Sequence, residues 1–364
     1  MSGSRRDELD ETLFPSEPRT LIKHQVYRLY LQCWMGKVLQ RFPHAAVVDG
    51  FAAAGEYSDG PDGSPLVVAR TYLEHSSRSA FNKLHVVTGE LRQDRVDHLA
   101  GLLTRLPKHR NLDLASPLQG AFAEIVDQLD GRARFQGKGD PVLWILDPFN
   151  ISSLPFSLVA RCLAAPRDEV LVTFFTDEIY RFCEQPHMAA VLTAHYGDES
   201  WRLALQVPGE RRRKQRLLEL YDARLRTLPD VKAHSFSISS KNKTARYSLL
   251  FATHNPKGSD CFNTARWRLD RFSGEGVNEF QGEQDDLFSD HPDLSGLRRA
   301  LLTAAPGARP FATLTSLASD NGYTVPQLRR VLNELREDGL ALRVEPIQSG
   351  TPWPEDSLVQ LYAE

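Results

Sequence analysis

Three acids, each closing an apolar run, mark where this chain could do chemistry. Asp49 follows Val47-Val48, Glu90 ends LHVVTGE (84–90), and Asp147 follows the run Val142 to Leu146. Runs of this kind read as buried parallel strands, and in open α/β sheets ligands bind in the crevice beyond the carboxyl ends of such strands. Asp49 opens the turn Gly50, Phe51, Ala52, Ala53, Ala54, Gly55, whose small residues would let a ligand lie against backbone N–H groups. The turn has neither the G-x-G-x-x-G of a dinucleotide site nor the G-K-[ST] of a P-loop. An acid and a small-residue turn without a phosphate lysine suit a ligand that joins an amino acid to a ribose, such as S-adenosylmethionine. The same stretch also reads as an ordinary strand-turn-helix junction.

Glu90 stands where a doubly wound sheet holds ribose hydroxyls, or else it is a solvent-facing acid ahead of the next helix. In PVLWILDPFN (141–150) proline cannot continue a central strand, so Asp147 sits at the rim with Asp49. Asp147 and the Pro148 carbonyl could accept from an exocyclic amine while its ring stacks on Phe149. The competing reading is a strand-stop turn whose Asp caps the helix near Leu154. Lys23, in the first turn of an amphipathic helix that starts near Thr20, either reaches a ligand carboxylate or is a solvated surface lysine.

The elements that position these residues alternate. Strands at 84–90, 111–116, 141–146 and 169–175 follow the first, with helices between them, and a largely helical insertion covers 183–233. Two further strands, 233–239 and 245–254, form a hairpin around SSKNKT. Five β/α units followed by such a hairpin give an α/β fold, a Rossmann-like class I methyltransferase sheet. The domain limits are a flexible tail over 1–19, the methyltransferase-like domain over 20–270, and a polar, acidic linker over 271–292. A winged helix-turn-helix fills 293–364, its third helix placing Leu328, Val331, Leu332 and Leu335 inward. Gln327, Arg330 and Asn333 are then left toward solvent, types suited to base edges and phosphates; Glu334, Glu337 and Asp338 on the same helix weaken that reading and make protein docking its alternative. Arg211 and Arg212 in the insertion, with Lys241 and Lys243 in the hairpin loop, could follow a phosphate backbone; a solvated helix face is the alternative.

A formal charge of −3 over 364 residues carries no global nucleic-acid footprint, so such contacts must be local. Four scattered cysteines without C-x-x-C spacing argue against a zinc ribbon, an iron–sulfur site or a disulfide framework and fit a reduced compartment, and no metal site is expected. The N-terminal stretch has no apolar core and no run approaches a membrane span, so a soluble cytoplasmic protein without membrane partners is expected.

The order of motifs resembles the three-Cys-motif partner proteins (TcmP), a bacterial family with a methyltransferase-like domain. The matching segments are the Lys23 helix with Tyr30 and Trp34, VDGFAAAGEY, GSPL at 63–66 and LDPFN at 146–150. HYGDESW at 195–201, YDARL at 221–225, RYSLLFATH at 246–254 and the terminal winged helix complete the set. The resemblance implies S-adenosylmethionine as cofactor and a radical-SAM-like partner that carries the three cysteines. The first motif is also similar to that of ribosomal-RNA adenine-N6 methyltransferases. Two departures stand out. Amino-methyltransferases have Asp-Pro-Pro-aromatic where this chain has Asp147-Pro148-Phe149-Asn150, and the family more often has Gly-Pro-Gly where this chain has Ala53-Ala54-Gly55. The expected function is methyl transfer to nucleic acid, at a base amino nitrogen; the alternative is a catalytically weak DNA-binding adaptor for the partner, in DNA repair.

Overall fold

The computed structural model describes residues 11–131, 139–239, 245–278, 291–304, 306–345 and 353–362. The chain divides into two compact units: Met1–Asn255 with Val277–Gly282, and Pro256–Gly276 with Glu283–Glu364.

In the first unit helix α1 (Pro18–Val38) leads into β1 (His44–Asp49), α2 (Ser64–Glu74), β2 (Lys83–Glu90), α3 (Gln93–Arg105), β3 (Leu112–Leu114), a short β4 (Leu118–Gln119) and α4 (Phe122–Gly131). Then follow β5 (Val142–Leu146), α5 (Phe156–Cys162), β6 (Asp168–Phe174) and α6 (Thr176–Phe182). The insertion contributes α7 (Ala189–Tyr196) and α8 (Glu210–Leu225), and β7 (Lys232–Ser239) and β8 (Ala245–Thr253) close the run. The strand order is β3-β2-β1-β5-β6-β8-β7, with β9 (Gly276–Asn278) beside β7 and β4 beside β2. Strands β1, β2, β3, β5 and β6 run parallel, and β8 enters antiparallel between β6 and β7. This is the Rossmann-like sheet of class I methyltransferases. Every residue of β5 and β6 is buried, because helices cover both faces of a parallel sheet.

Helix α1 buries Val26, Tyr27, Tyr30, Leu31, Trp34 and Met35, one stripe at helical spacing. Its Tyr30 hydroxyl donates to Glu169 Oε2 at 2.7 Å, and Thr253 Oγ1 donates to Glu169 Oε1 at 2.6 Å, so one buried carboxylate ties α1 to β6 and β8. Burial raises the Glu169 pKa and outweighs the lowering pull of those two hydroxyls. Cys162 and Cys183 are buried free thiols. Cys33 and Cys261 are disulfide-bonded, which the scattered cysteine spacing did not suggest.

In the second unit the expected boundary shifts. Helix α9 (Pro256–Leu269), which the alternating pattern places at the close of the first domain, packs on the helices that follow it. Asn263 Nδ2 donates to the Ser319 carbonyl at 3.0 Å, and Arg266 Nη2 and Trp267 Nε1 both donate to the Gly322 carbonyl, at 2.7 and 2.8 Å. After it come α10 (Ser295–Ala304), β10 (Gly307–Pro310), α11 (Phe311–Asp320), α12 (Val325–Glu337), β11 (Ala341–Glu345) and β12 (Leu358–Leu361). The strands form an antiparallel sheet in the order β10-β12-β11. That is a winged helix, and Leu328, Val331, Leu332 and Leu335 of α12 fill its core as the periodicity predicts. Among the described residues no helix is long and apolar enough to cross a membrane.

Candidate functional site

Parallel pairing brings the acids to one rim. Asp49 pairs with Thr88 on one side and Ile145 on the other, so Glu90 and Asp147 each lie two residues beyond a residue level with Asp49. Asp49 has no exposed surface. Its Oδ1 accepts from Phe51 N–H at 3.2 Å, while the buried Oδ2 makes no hydrogen bond of good geometry, although the Ser64 hydroxyl stands near enough to act on the carboxyl. Burial pushes this carboxyl up to about 6; the Ser64 hydroxyl and Phe51 N–H oppose the rise, the Asp147 carboxylate adds to it, and Lys23 opposes it.

Lys23 is neither a solvated lysine nor free to meet a ligand carboxylate: its ammonium is buried and ion-paired with Asp147. Burial by itself would raise the Asp147 carboxyl, but the Lys23 charge and hydrogen bond win, with the Thr173 hydroxyl and His24 adding, and hold it below its ordinary value. Beside this pair lie two further buried oxygens, Tyr27 Oη and Thr173 Oγ1, near each other and, for Thr173, near Asp147, yet with no hydrogen bond of good geometry. Burial and then the Lys23 charge depress His24 to about 3, so it is neutral. The rim therefore carries an ion pair, a half-satisfied carboxylate and two poorly bonded hydroxyls, more hydrogen-bonding capacity than the protein itself uses well. Buried polar atoms left in this state call for a polar occupant or water.

The turn after β1 departs from the expected cradle. Gly50 N–H donates to the Ile145 carbonyl at 3.0 Å and Ala52 N–H to the Gly89 carbonyl at 2.9 Å, and Phe51 N–H serves Asp49. These three amides are committed to the fold. A side chain at Gly50 would meet the Phe122 ring at 2.5 Å, so its bareness accommodates α4 rather than a ligand. The strained point is Ala53, at φ +48°, in the left-handed region that glycine tolerates and alanine does not. Gly55 follows at φ +86°.

Glu90 is buried, and its Oε1 accepts from Arg92 N–H at 2.9 Å, which fixes the carboxylate at the start of α3. No described contact joins it to the Lys23–Asp147 pair, from which β1 separates it. After β5 it is Asn150, not Asp147, that caps: its Oδ1 accepts from Ser153 N–H at 3.0 Å and from both serine hydroxyls. Asp147 is thereby left to the rim, Pro148 is buried and Phe149 is half-buried.

Sequence reasoning missed Arg95, Tyr57 and the segment 11–17. Arg95, near the start of α3, is 1% exposed and lies over the Phe149 ring, 5.1 Å from its centroid. Its signal was faint: an arginine five residues past the acid of β2. Residues 11–17, expected within a flexible tail, are held in place. Ser16 N–H and Oγ donate to Asp59 at 2.8 and 2.7 Å, and Ser58 N–H donates to the Phe14 carbonyl at 3.0 Å.

The expected nucleic-acid contacts fare unevenly. Arg211 and Arg212 are exposed on α8, whereas the neighbouring Arg213 and Lys214 turn inward to Glu184 and to Asp177 with Glu210. Lys241 and Lys243 lie outside the described residues. In the winged helix all three expected base readers have structural partners. Gln327 closes the capping box with Thr324, Arg330 pairs with Glu334, and Asn333 Oδ1 accepts from Trp353 Nε1 at 2.7 Å. Of these only Arg330 is exposed. No cluster of three or more metal-ligating side chains occurs among the described residues.

No protein-family model matches the chain, and no curated protein matches it. Solved structures do. Trm1 from Pyrococcus horikoshii in complex with S-adenosyl-L-methionine aligns at 14% identity over 69% of this chain and 60% of that one, with a TM-score of 0.38. An O-methyltransferase from Bacillus cereus in complex with SAH aligns at 13% identity over 62% and 80%, with a TM-score of 0.34. A putative O-methyltransferase from Klebsiella pneumoniae aligns at 11% over 68% and 95%, again at 0.34. The chain thus spans about three fifths of the length of Trm1. The strand order, not these distant likenesses, establishes the class I methyltransferase fold.

Proposed function

We propose that the protein is an S-adenosylmethionine-dependent methyltransferase acting on nucleic acid, at a base amino nitrogen. The observation that carries the reading is Asp49: a fully buried carboxylate at the end of β1 whose Oδ2 accepts no well-formed hydrogen bond, with only the Ser64 hydroxyl near, on a rim where the Tyr27 and Thr173 hydroxyls are also poorly bonded. An ammonium group of an amino acid answers that deficit. Glu90, at the end of the adjacent strand, would take the ribose hydroxyls. Bound S-adenosylmethionine would supply an electrophilic methyl group. The chain's own work is positioning: Asp147 and the Pro148 carbonyl accept from the target amine, and Phe149 stacks on its ring. Lys23 keeps Asp147 ionised and ready to accept, and must yield one oxygen when the amine arrives. The winged helix and the exposed Arg211 and Arg212 support a nucleic-acid acceptor.

A second reading has its own observation. Because the Lys23 ammonium already engages Asp147, the acid is occupied, which favours a catalytically weak, DNA-binding adaptor that delivers a radical-SAM-like three-Cys-motif partner, in DNA repair. The family resemblance of the motifs supports that partner under either reading. Calorimetry with S-adenosylmethionine separates them from a bare fold likeness: we expect binding by the wild type and at least tenfold weaker binding by Asp49→Ala. No heat with the wild type removes the enzymatic reading. Binding with methyl transfer to neither DNA nor RNA leaves the adaptor.

A further inference from the structure

A ring supplied by the chain itself packs edge-on against Phe149, the residue proposed above to stack on the acceptor. Phe14 stands edge-on to Tyr57, centroids 5.5 Å apart at 78°, and edge-on to Phe149, 6.0 Å apart at 76°. The Arg95 guanidinium lies 5.4 Å from the Phe14 centroid and 5.1 Å from that of Phe149, and it donates to the Glu11 carbonyl at 2.6 Å. A buried cation and two aromatic rings, one of them two residues from Asp147, thus flank a third ring. Such an enclosure is indifferent to which planar ring fills it, because cation–π and edge-to-face attraction act on any π-face, nucleobases included.

The hold on Phe14 is of a kind that can be released. Its segment is tied by Ser16 to Asp59, by Ser58 N–H and by the Thr12 hydroxyl to Asp94, contacts at exposed or half-exposed positions that contribute little each because water competes for them, and by the Glu11 carbonyl to the buried Arg95, a stronger tie that release must also break. Phe14 itself is only half-buried, whereas Arg95 beneath it is almost wholly covered. The expensive feature, a desolvated guanidinium, belongs to the permanent wall of the slot, and the light feature belongs to its occupant.

We propose that Phe14 is an internal stand-in for the acceptor base. The slot between Arg95, Phe149 and Tyr57 is a nucleobase subsite, and residues 11–17 must swing out before a base can enter, so the segment sets the threshold for substrate. The identity of the ring as a base rests on the function proposed above; the competition between Phe14 and an incoming ring does not.

The test uses the full chain and a single-stranded oligonucleotide carrying 2-aminopurine, titrated by fluorescence with excess S-adenosylhomocysteine present to fill any adenosyl pocket. Phe14→Ala should tighten binding about two- to tenfold, the range that one aromatic contact commands. The paired change Ser16→Ala with Asp59→Ala, which loosens the segment without touching the slot, should tighten it in the same sense, and Phe149→Ala should weaken it. Unchanged or weaker binding by both Phe14→Ala and the paired variant overturns the proposal and leaves Phe14 a fixed part of the fold. The outcome is separable from that of the cofactor titration: tightening without S-adenosylmethionine binding keeps the slot and discards the methyltransferase. Cofactor binding without tightening does the reverse.

Discussion

Replacing Asp49 with asparagine should make the empty protein more stable and the site less useful. An acid that titrates near 6 in the fold and at an ordinary 3.8 outside it binds more protons when folded over the interval between those values. Stability then falls as pH rises through that window and stays lowered above it, by about 3 kcal/mol at pH 7.5. The side chain is fully buried, so solvent screening does not reduce the figure. Asparagine has nearly the same shape, can still accept from Phe51 N–H through its carbonyl oxygen, and carries no charge to desolvate. Its NH2 group must find an acceptor, and Asp147 and the Ser64 hydroxyl are the candidates; an imperfect match would return about 1 kcal/mol. The expected net gain for Asp49→Asn is about 1–3 kcal/mol at pH 7.5, or about 3–8 °C in melting temperature for a unit of this size, shrinking toward zero by pH 4. Thermal melts and urea titrations at pH 5.0 and 7.5 measure it, and calorimetry should show S-adenosylmethionine affinity lost in the same variant. A variant less stable than wild type at pH 7.5, or a stability difference that does not change between the two pH values, refutes the account of Asp49 as a charge held in reserve for a ligand.

Lys23→Met should cost about 3 kcal/mol in urea denaturation at pH 7.5, because it leaves the Asp147 carboxylate in a low-dielectric site without its cation, and adding Asp147→Asn should restore most of that. The pair's contribution is fully present above the ordinary carboxylate pKa and fades as pH falls through the depressed value of Asp147, so a deficit that persists unchanged at the lowest pH the fold tolerates would be inconsistent with it. Ala53→Gly should stabilise the first unit by about 0.5–1 kcal/mol, since relief of a left-handed alanine exceeds the added freedom of glycine in the unfolded chain; a loss of stability in the same melts would contradict the strain assigned to that turn.

Most of the sheet was legible because a strand buried on both faces must be continuously apolar, and an acid at its end cannot be buried for packing alone. Val142 to Leu146 followed by Asp147-Pro148 shows both signals in seven residues. Partners that lie far apart along the chain were not legible. Nothing near Lys23 announces that Asp147, 124 residues on, will neutralise it. The amphipathic stripe of 256–269 predicts a helix but cannot say whose core it joins. Thr324 and Gln327 stand at capping-box spacing, yet a glutamine on a presumed reading helix invites a different interpretation. Gly50 illustrates the limit best: the absence of a side chain says that something comes close, and here it is Phe122.

The carboxylate of Glu169 has a mechanical implication. By gripping Tyr30 from the middle of the sheet it makes α1 part of the rigid frame, and Lys23, seven residues earlier on the same helix, projects from that frame as a fixed arm. Such an arm cannot travel with a ligand. If a ligand binds as proposed, closure of the rim around it would fall to the loops beyond the strands and to residues 11–17, with the ammonium of Lys23 as the fixed landmark against which incoming groups would be registered.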